Sequence, residues 1–169
     1  MKLRTKPWRF KSESDLVEAV DKAVYDYTGE NYKIDLVLNC TGRAHEEAPK
    51  DKSLYGCWGV HVVNLDAQMH CDVFKRNLAA LKRALRNAEP GSVVNAICLC
   101  RQGRHRSVAA ARLLAWGAES ASILVNEIIH VNDDQWEKLC AGGCPNCSSK
   151  NSERDAIQSD MVDLWHADE

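Results

Sequence analysis

The chain is 169 residues long, 45% apolar and 27% charged, with 22 Lys and Arg against 24 Asp and Glu for a formal net charge of −2. This is the size and make-up of one ordinary globular domain, able to bury a core without disulfides. It excludes a disordered, collagen-like or repeat protein, and a globally basic protein that holds nucleic acid by bulk charge.

No apolar run approaches the roughly 18 residues of a membrane span. Residues 1–11 carry five cationic side chains. No apolar stretch follows them, so no secretory signal is expected and the protein reads as cytoplasmic or otherwise intracellular. Eight Cys in that setting suit reduced thiols, a metal site or a reactive Cys better than a disulfide scaffold.

Ser12 to Tyr27 reads as a helix, with Ser14 as a cap and Leu16, Val17, Val20, Ala23, Val24 and Tyr27 at helical spacing. Lys33 to Cys40 (KIDLVLNC) is a strand candidate. Thr41 to Gly59 is loop-like, punctuated by Gly42, Pro49, Gly56 and Gly59. Val60 to Leu65 reads as a second strand. Asp72 to Asn87 is a second helix, with Val73, Phe74, Leu78, Leu81 and Leu85 on one face, and Pro90-Gly91 ends it. Ser92 to Cys100 (SVVNAICLC) is a third strand, apolar enough for burial on both faces. Ser107 to Trp116 is an Ala- and Leu-rich helix. Ile123 to His130 leans to a fourth strand, Asp133 to Leu139 to a short helix, and Ser152 to Trp165 to a last, acidic helix.

Strands alternating with helices predict an α/β fold: a mostly parallel sheet of about four strands with helices on both faces, plus a Cys-rich C-terminal knuckle. The domain expected is 1–139, with 140–169 as knuckle and acidic tail. The tail from Glu153 to Glu169 holds six acids and one Arg, the pattern of a solvated face.

The most informative residues are Cys100, Arg101, Gln102, Gly103, Arg104, His105, Arg106 and Ser107, between a strand and a helix start. Such a junction aims backbone N–H groups and the positive end of a helix dipole at one spot. Gly103 lets the backbone curl, Arg106 can fork two oxygens of a phosphate, and Ser107 can cap the helix or bond an oxygen. A thiol placed there has a depressed pKa, which makes Cys100 a candidate nucleophile.

The string C-x-x-G-x-x-R-S resembles the active-site loop of cysteine-dependent phosphatases of the dual-specificity type. That resemblance implies Cys100 as nucleophile, Arg106 as phosphate holder and Asp66 as the acid that protonates the leaving oxygen. Leu99 stands where that family has His. A second resemblance is to the C-terminal domain of the RapZ family of RNase adapters. It rests on Gly103-Arg104-His105-Arg106-Ser107-Val108, on a first strand at Lys33 to Cys40 followed by His45, and on Ile128-Ile129-His130, and it spans about residues 33–138. It implies a domain that binds a phosphorylated small molecule, a nucleotide or an RNA backbone in a regulatory or adapter role. Arg101 and Gln102 depart from that family's loop. There is no G-x-x-x-x-G-K-[ST] string, so no ATPase activity is expected. A rhodanese-type loop is excluded, because its Arg falls where this chain has His105.

Arg43 and His45, after the first strand, are second-rank pocket residues, because the C-terminal ends of parallel strands border the ligand crevice; the RapZ resemblance, through a strand that ends in His, adds His130 to them. Cys140, Cys144 and Cys147 have C-x3-C-x2-C spacing with two Gly and one Pro between them, which suits a structural Zn²⁺. His130, His166, Cys57, Cys71 and His70 are candidate fourth ligands. Lys75, Arg76, Lys82, Arg83 and Arg86 make a basic helix face that, with the Arg101 to Arg112 segment, is a candidate RNA surface.

Overall fold

Two parallel strands cannot be joined by a tight turn; the chain must cross over between them, and a helical crossover is the usual solution. The computed structural model shows this arrangement. It describes residues 18, 21–22, 24–26, 29–30, 33–40, 61–100, 105–129 and 151–167. In chain order the elements are strand β1 (Leu36–Asn39), helix α1 (Val62–Met69), helix α2 (Asp72–Asn87), strand β2 (Ala96–Leu99), helix α3 (Arg106–Ser120) and helix α4 (Asn151–His166). The described residues between 18 and 26 are helical as well, with an exposed i,i+4 pair between Lys22 and Asp26 at 3.4 Å.

The expected four-strand sheet is not what forms. Among the described residues the sheet has two strands, β1 and β2, paired in parallel with Leu36 opposite Ala96, Val37 opposite Ile97, Leu38 opposite Cys98 and Asn39 opposite Leu99. The rest of the described frame is mostly helical. Of Val60 to Leu65, expected as a strand, Val62 to Leu65 form the start of helix α1 and His61 is its cap, while Val60 lies outside the described residues. The Val-rich run favours a strand locally, but Val62, Leu65 and Met69 recur at helical spacing and all three are buried. The buried His61 caps this helix, its ring Nδ1 accepting from the Val63 N–H at 3.3 Å. The described part of the Ile123 to His130 segment, 123–129, pairs with no strand among the described residues.

That segment instead ends α3. Ser122 adopts a left-handed conformation (φ 60°). Its N–H donates to the Glu119 carbonyl at 3.0 Å and the Ile123 N–H to the Ala118 carbonyl at 3.0 Å. This pair of bonds is a Schellman cap, and Ile123 packs back onto the core as such caps favour.

The core lies between α1, α2, α3 and α4 on one side of the short strand pair. Phe74, Leu65, Leu113, Met161 and Trp165 are each at most 2% exposed, and burying side chains of this size contributes roughly 1.5–3 kcal/mol apiece. Helix α4 carries an acidic outer face, yet Ile157, Met161 and Trp165 repeat every fourth residue and are all core. Trp165 sits where α3 has Gly117: a Cβ there would meet the indole, with Cδ2 at 2.9 Å and Met161 Cε at 3.0 Å. Lys82 of α2 reaches across to the far end of α4. Its buried ammonium donates to the Trp165 carbonyl at 2.6 Å and lies 5.9 Å from the indole centroid. It therefore satisfies one of the carbonyls that a helix end leaves without an intrahelical partner.

Two stability changes are expected. Gly117→Ala gains up to about 1 kcal/mol of helix propensity but pushes a methyl into the indole, and overpacking of this kind costs about 1–3 kcal/mol; the net result in urea unfolding is a loss of stability. Ser122→Gly removes the steric cost of a left-handed non-glycine residue and raises stability by about 0.5–1 kcal/mol, read as a higher urea midpoint at unchanged slope.

Candidate functional site

The two strands run side by side and end together. Cys40 directly follows β1 and Cys100 directly follows β2. The Cys40 N–H donates to the Leu99 carbonyl at 2.7 Å, which carries the pairing one step past the last ladder residues. Side chains alternate along a strand, so Leu38, Cys40, Cys98 and Cys100 share one face of the ribbon. The ribbon's other end is tied by Asp35, whose carboxylate accepts from the Asn95 N–H at 3.0 Å, and by Asn95 itself, whose side-chain amide donates to the Lys33 carbonyl at 3.0 Å.

Beyond Cys100 the chain enters α3. Arg106 is its first residue and His105 its N-cap position, without a side-chain cap bond. The first helical bond runs from the Ala109 N–H to the His105 carbonyl at 2.8 Å. The N–H groups of Arg106, Ser107 and Val108 precede it and lie at the positive end of a 15-residue helix. Ser107 is buried, and its hydroxyl shares a hydrogen bond of 3.1 Å with the Cys100 thiol. The junction thus joins a strand-end thiol, a hydroxyl and a helix N-terminus with a guanidinium at its first position.

Cys40 is the neighbour that sequence reasoning missed. The residue is 1% exposed. Its pKa is pushed well above the ordinary thiol value by a hydrogen bond with the Cys98 thiol first, then by burial, then by the charges that Cys98 and Cys100 carry when ionised, with Arg106 acting in the opposite direction. Asn77 of α2 braces it: its amide donates to the Asn39 carbonyl at 3.1 Å and to the Cys40 sulfur at 3.6 Å. The available signal was the two-residue period, which puts Leu38 and Cys40 on one strand and Cys98 and Cys100 on the other along a common face.

Of the other expected site residues, Arg101, Gln102, Gly103, Arg104, Arg43, His45 and His130 lie outside the described residues. Asp66 is on the exposed side of α1, where its carboxylate pairs with His70 at 3.2 Å. It occupies a helix, not a loop after a strand. The candidate basic face of α2 is interrupted, because Lys82 is buried against Trp165 while Lys75, Arg76, Arg83 and Arg86 remain exposed.

The expected zinc centre is corrected. Among the described residues no group of three His, Cys, Asp or Glu is placed to hold a metal ion, and Cys140, Cys144 and Cys147 lie outside them. The described candidates for a fourth ligand have other roles. Cys71 caps α2, its sulfur accepting from the Phe74 N–H at 3.3 Å; His70 pairs with Asp66; His166 shares a hydrogen bond with Ser120 at 3.2 Å. The nucleotide crevice expected of a doubly covered parallel sheet also loses its frame, since the described sheet has two strands. No helix among the described residues is long and apolar enough to cross a membrane. Comparison with protein-family models, curated proteins and solved structures finds no match, and the chemistry of the site is carried by its own geometry.

Proposed function

We propose that this protein binds a phosphorylated ligand at the junction of β2 and α3. The observation that carries this reading is the 3.1 Å bond between Cys100 and Ser107 at the start of a helix whose first residue is Arg106. A phosphate dianion at this point meets three favourable features. The helix N-terminus supplies partial positive charge and N–H donors. Arg106 offers two parallel charge-assisted hydrogen bonds. The Cys100–Ser107 bond fixes the strand end against the helix, so the donors need little reordering when the anion arrives. The C-x-x-G-x-x-R-S string, shared in form with two phosphate-handling families, supports the same reading.

A second reading draws on the same contact. A serine hydroxyl that donates to a thiolate, beside an arginine and a helix N-terminus, favours the ionised thiol, and a thiolate is the nucleophile of a cysteine-dependent phosphatase. The Cys100 thiolate attacks phosphorus while Arg106 holds the non-bridging oxygens; the P–O ester bond breaks as the S–P bond forms, the departing oxygen takes its proton from solvent water, and a water then hydrolyses the phosphocysteine to inorganic phosphate and the free thiol. Asp66, held by His70 on the outer face of α1, is not assigned as the proton donor.

One experiment covers both readings. Wild type, Arg106→Ala and Cys100→Ser are melted with and without a phosphomonoester and assayed on an aryl phosphate. The binding reading expects stabilisation of about 2.7 kcal/mol at ligand a hundredfold above Kd. It expects Cys100→Ser to retain that stabilisation and Arg106→Ala to lose about tenfold or more in affinity, about 1.4 kcal/mol. Turnover that disappears in Cys100→Ser replaces it with the phosphatase. No stabilisation and no turnover in wild type rejects both.

For the phosphatase, Ser107→Ala is expected to lower kcat by about tenfold or more, about 1.4 kcal/mol of barrier, and to move the acidic limb of the pH–rate profile upward. The hydroxyl that favoured the thiolate is gone, so the thiol's pKa rises and a higher pH is needed to ionise it.

A further inference from the structure

Cys40, Cys98 and Cys100 lie on one face at the C-terminal ends of β1 and β2, and the phosphate-binding reading uses only the last of them. Leu38 faces Cys98 and Asn39 faces Leu99, and the Cys40 N–H continues the pairing to the Leu99 carbonyl at 2.7 Å. The next lateral pair is therefore Cys40 and Cys100. Neighbouring strands run about 4.8 Å apart, inside the roughly 4.4–6.8 Å separation of Cα atoms that a disulfide spans. Cys98 is the thiol that most raises the pKa of Cys40, but it stands two residues back on the diagonal, roughly 8 Å away between Cα atoms by strand spacing. That separation is too long to bridge without backbone movement.

We propose that Cys40 and Cys100 form a reversible disulfide in response to a peroxide, with Cys100 oxidised first and Cys40 resolving it. Access and charge set the order. Cys100 is partly exposed and sits at the positive end of α3 beside Arg106, whereas Cys40 is buried. The Cys100 thiolate attacks one peroxide oxygen; the O–O bond breaks, hydroxide leaves and takes up a proton, and Cys100 becomes a sulfenic acid. The Cys40 sulfur then attacks the sulfenic sulfur. The S–O bond breaks as the S–S bond forms, and the departing hydroxide leaves as water with the Cys40 proton. Two thiols and one peroxide give one disulfide and two waters; the sulfurs lose two electrons and the peroxide gains them. Oxidation also removes the negative charge of Cys100, one of the influences that keep Cys40 protonated, so the first step eases the second. A dithiol reverses the sequence.

The disulfide stands on the strand pairing alone. Its consequence, that the oxidised protein no longer holds a phosphorylated ligand, rests on the phosphate-binding reading. In the disulfide Cys100 leaves Ser107 and turns toward β1, which removes the contact that fixes the donors.

The test treats the whole reduced protein with hydrogen peroxide, alkylates the remaining thiols and maps tryptic peptides. The expected product links the peptide 34–43, which contains Cys40, to the peptide 87–101, which contains Cys98 and Cys100. Backbone fragmentation places the bond at Cys100, and dithiothreitol removes it. Cys98→Ala keeps the linkage, while Cys40→Ser loses it and accumulates the sulfinic acid at Cys100. The proposal is overturned by a wild-type protein in which Cys100 passes to the sulfinic acid without linking to Cys40, or by a bond placed at Cys98. The wild-type map needs no variant, so a folding defect in Cys40→Ser leaves the test intact. Phosphomonoester stabilisation is measured on the reduced and oxidised protein in parallel. Its absence from the reduced protein rejects the phosphate-binding reading and leaves the disulfide result to be judged by the map.

Discussion

Position 117 of helix α3 has no side chain, and the Trp165 indole fills the space that one would take. The approach of α4 to α3 depends on that glycine. Trp165 and Met161 are then covered on the inside by α3 and held from the outside by Lys82, whose ammonium binds the last turn of α4. Helix α3 is the shared wall of this core: α1, α4 and strand β2 all pack against it. Its small inner residues, Ala109, Ala110 and Ala118, let these neighbours come close, and all three are buried. A helix fixed along its length by packing presents its first turn at a fixed place. The position of Ser107 and Arg106 relative to Cys100 is therefore a consequence of contacts made up to four turns away.

The strand pair is the second constraint, and it is small. Two four-residue strands have few ladder bonds, and an isolated pair of this size is marginal in water. It persists because α2 lies on β1 and α3 on β2, and because Asp35 and Asn95 tie its entrance through side-chain bonds to backbone. Its exit is tied by Asn77, which reaches from α2 to the Asn39 carbonyl and the Cys40 sulfur. Parallel pairing places both strand ends on the same side, and so it brings Cys40 and Cys100 together.

The strongly periodic helices were legible in the sequence. The apolar stripe of α2, bounded by Asp72 and Asn87, needs only its own spacing to be read, and Phe74, Leu78 and Leu81 are buried as that spacing requires. The two paired strands were also visible, though each is shorter than its apolar run. What misled was β-propensity. Val62-Val63 and Ile123 to Ile129 are rich in branched residues, yet the first pair starts a helix capped by His61 and the second run follows Ser122 into the cap of α3 through Ile123. Such outcomes are set by tertiary packing and capping rather than by the local pattern. Helix α4 was legible as an acidic helix over Ser152 to Trp165, but its acids, which outnumber the three core residues Ile157, Met161 and Trp165, hid that it packs into the core. At the site, the loop string singled out Cys100, Arg106 and Ser107. Cys40 lies sixty residues earlier, and only the strand register reveals it as a neighbour.

The protonation state of Cys100 links the two readings of the site. A thiolate and a phosphate dianion repel each other, so a loop that only binds is better served by a neutral thiol bonded to Ser107. A loop that catalyses needs the thiolate, and Arg106 with the helix N-terminus must then offset two negative groups at once. The neighbouring thiols bear on this balance. Cys40 is held protonated by its bond with Cys98 and by burial, so it adds no negative charge beside the anion. A buried, neutral thiol next to a more exposed one at a helix N-terminus is compatible with either reading. It divides this pair into one sulfur that meets solvent and one that stays buried behind it.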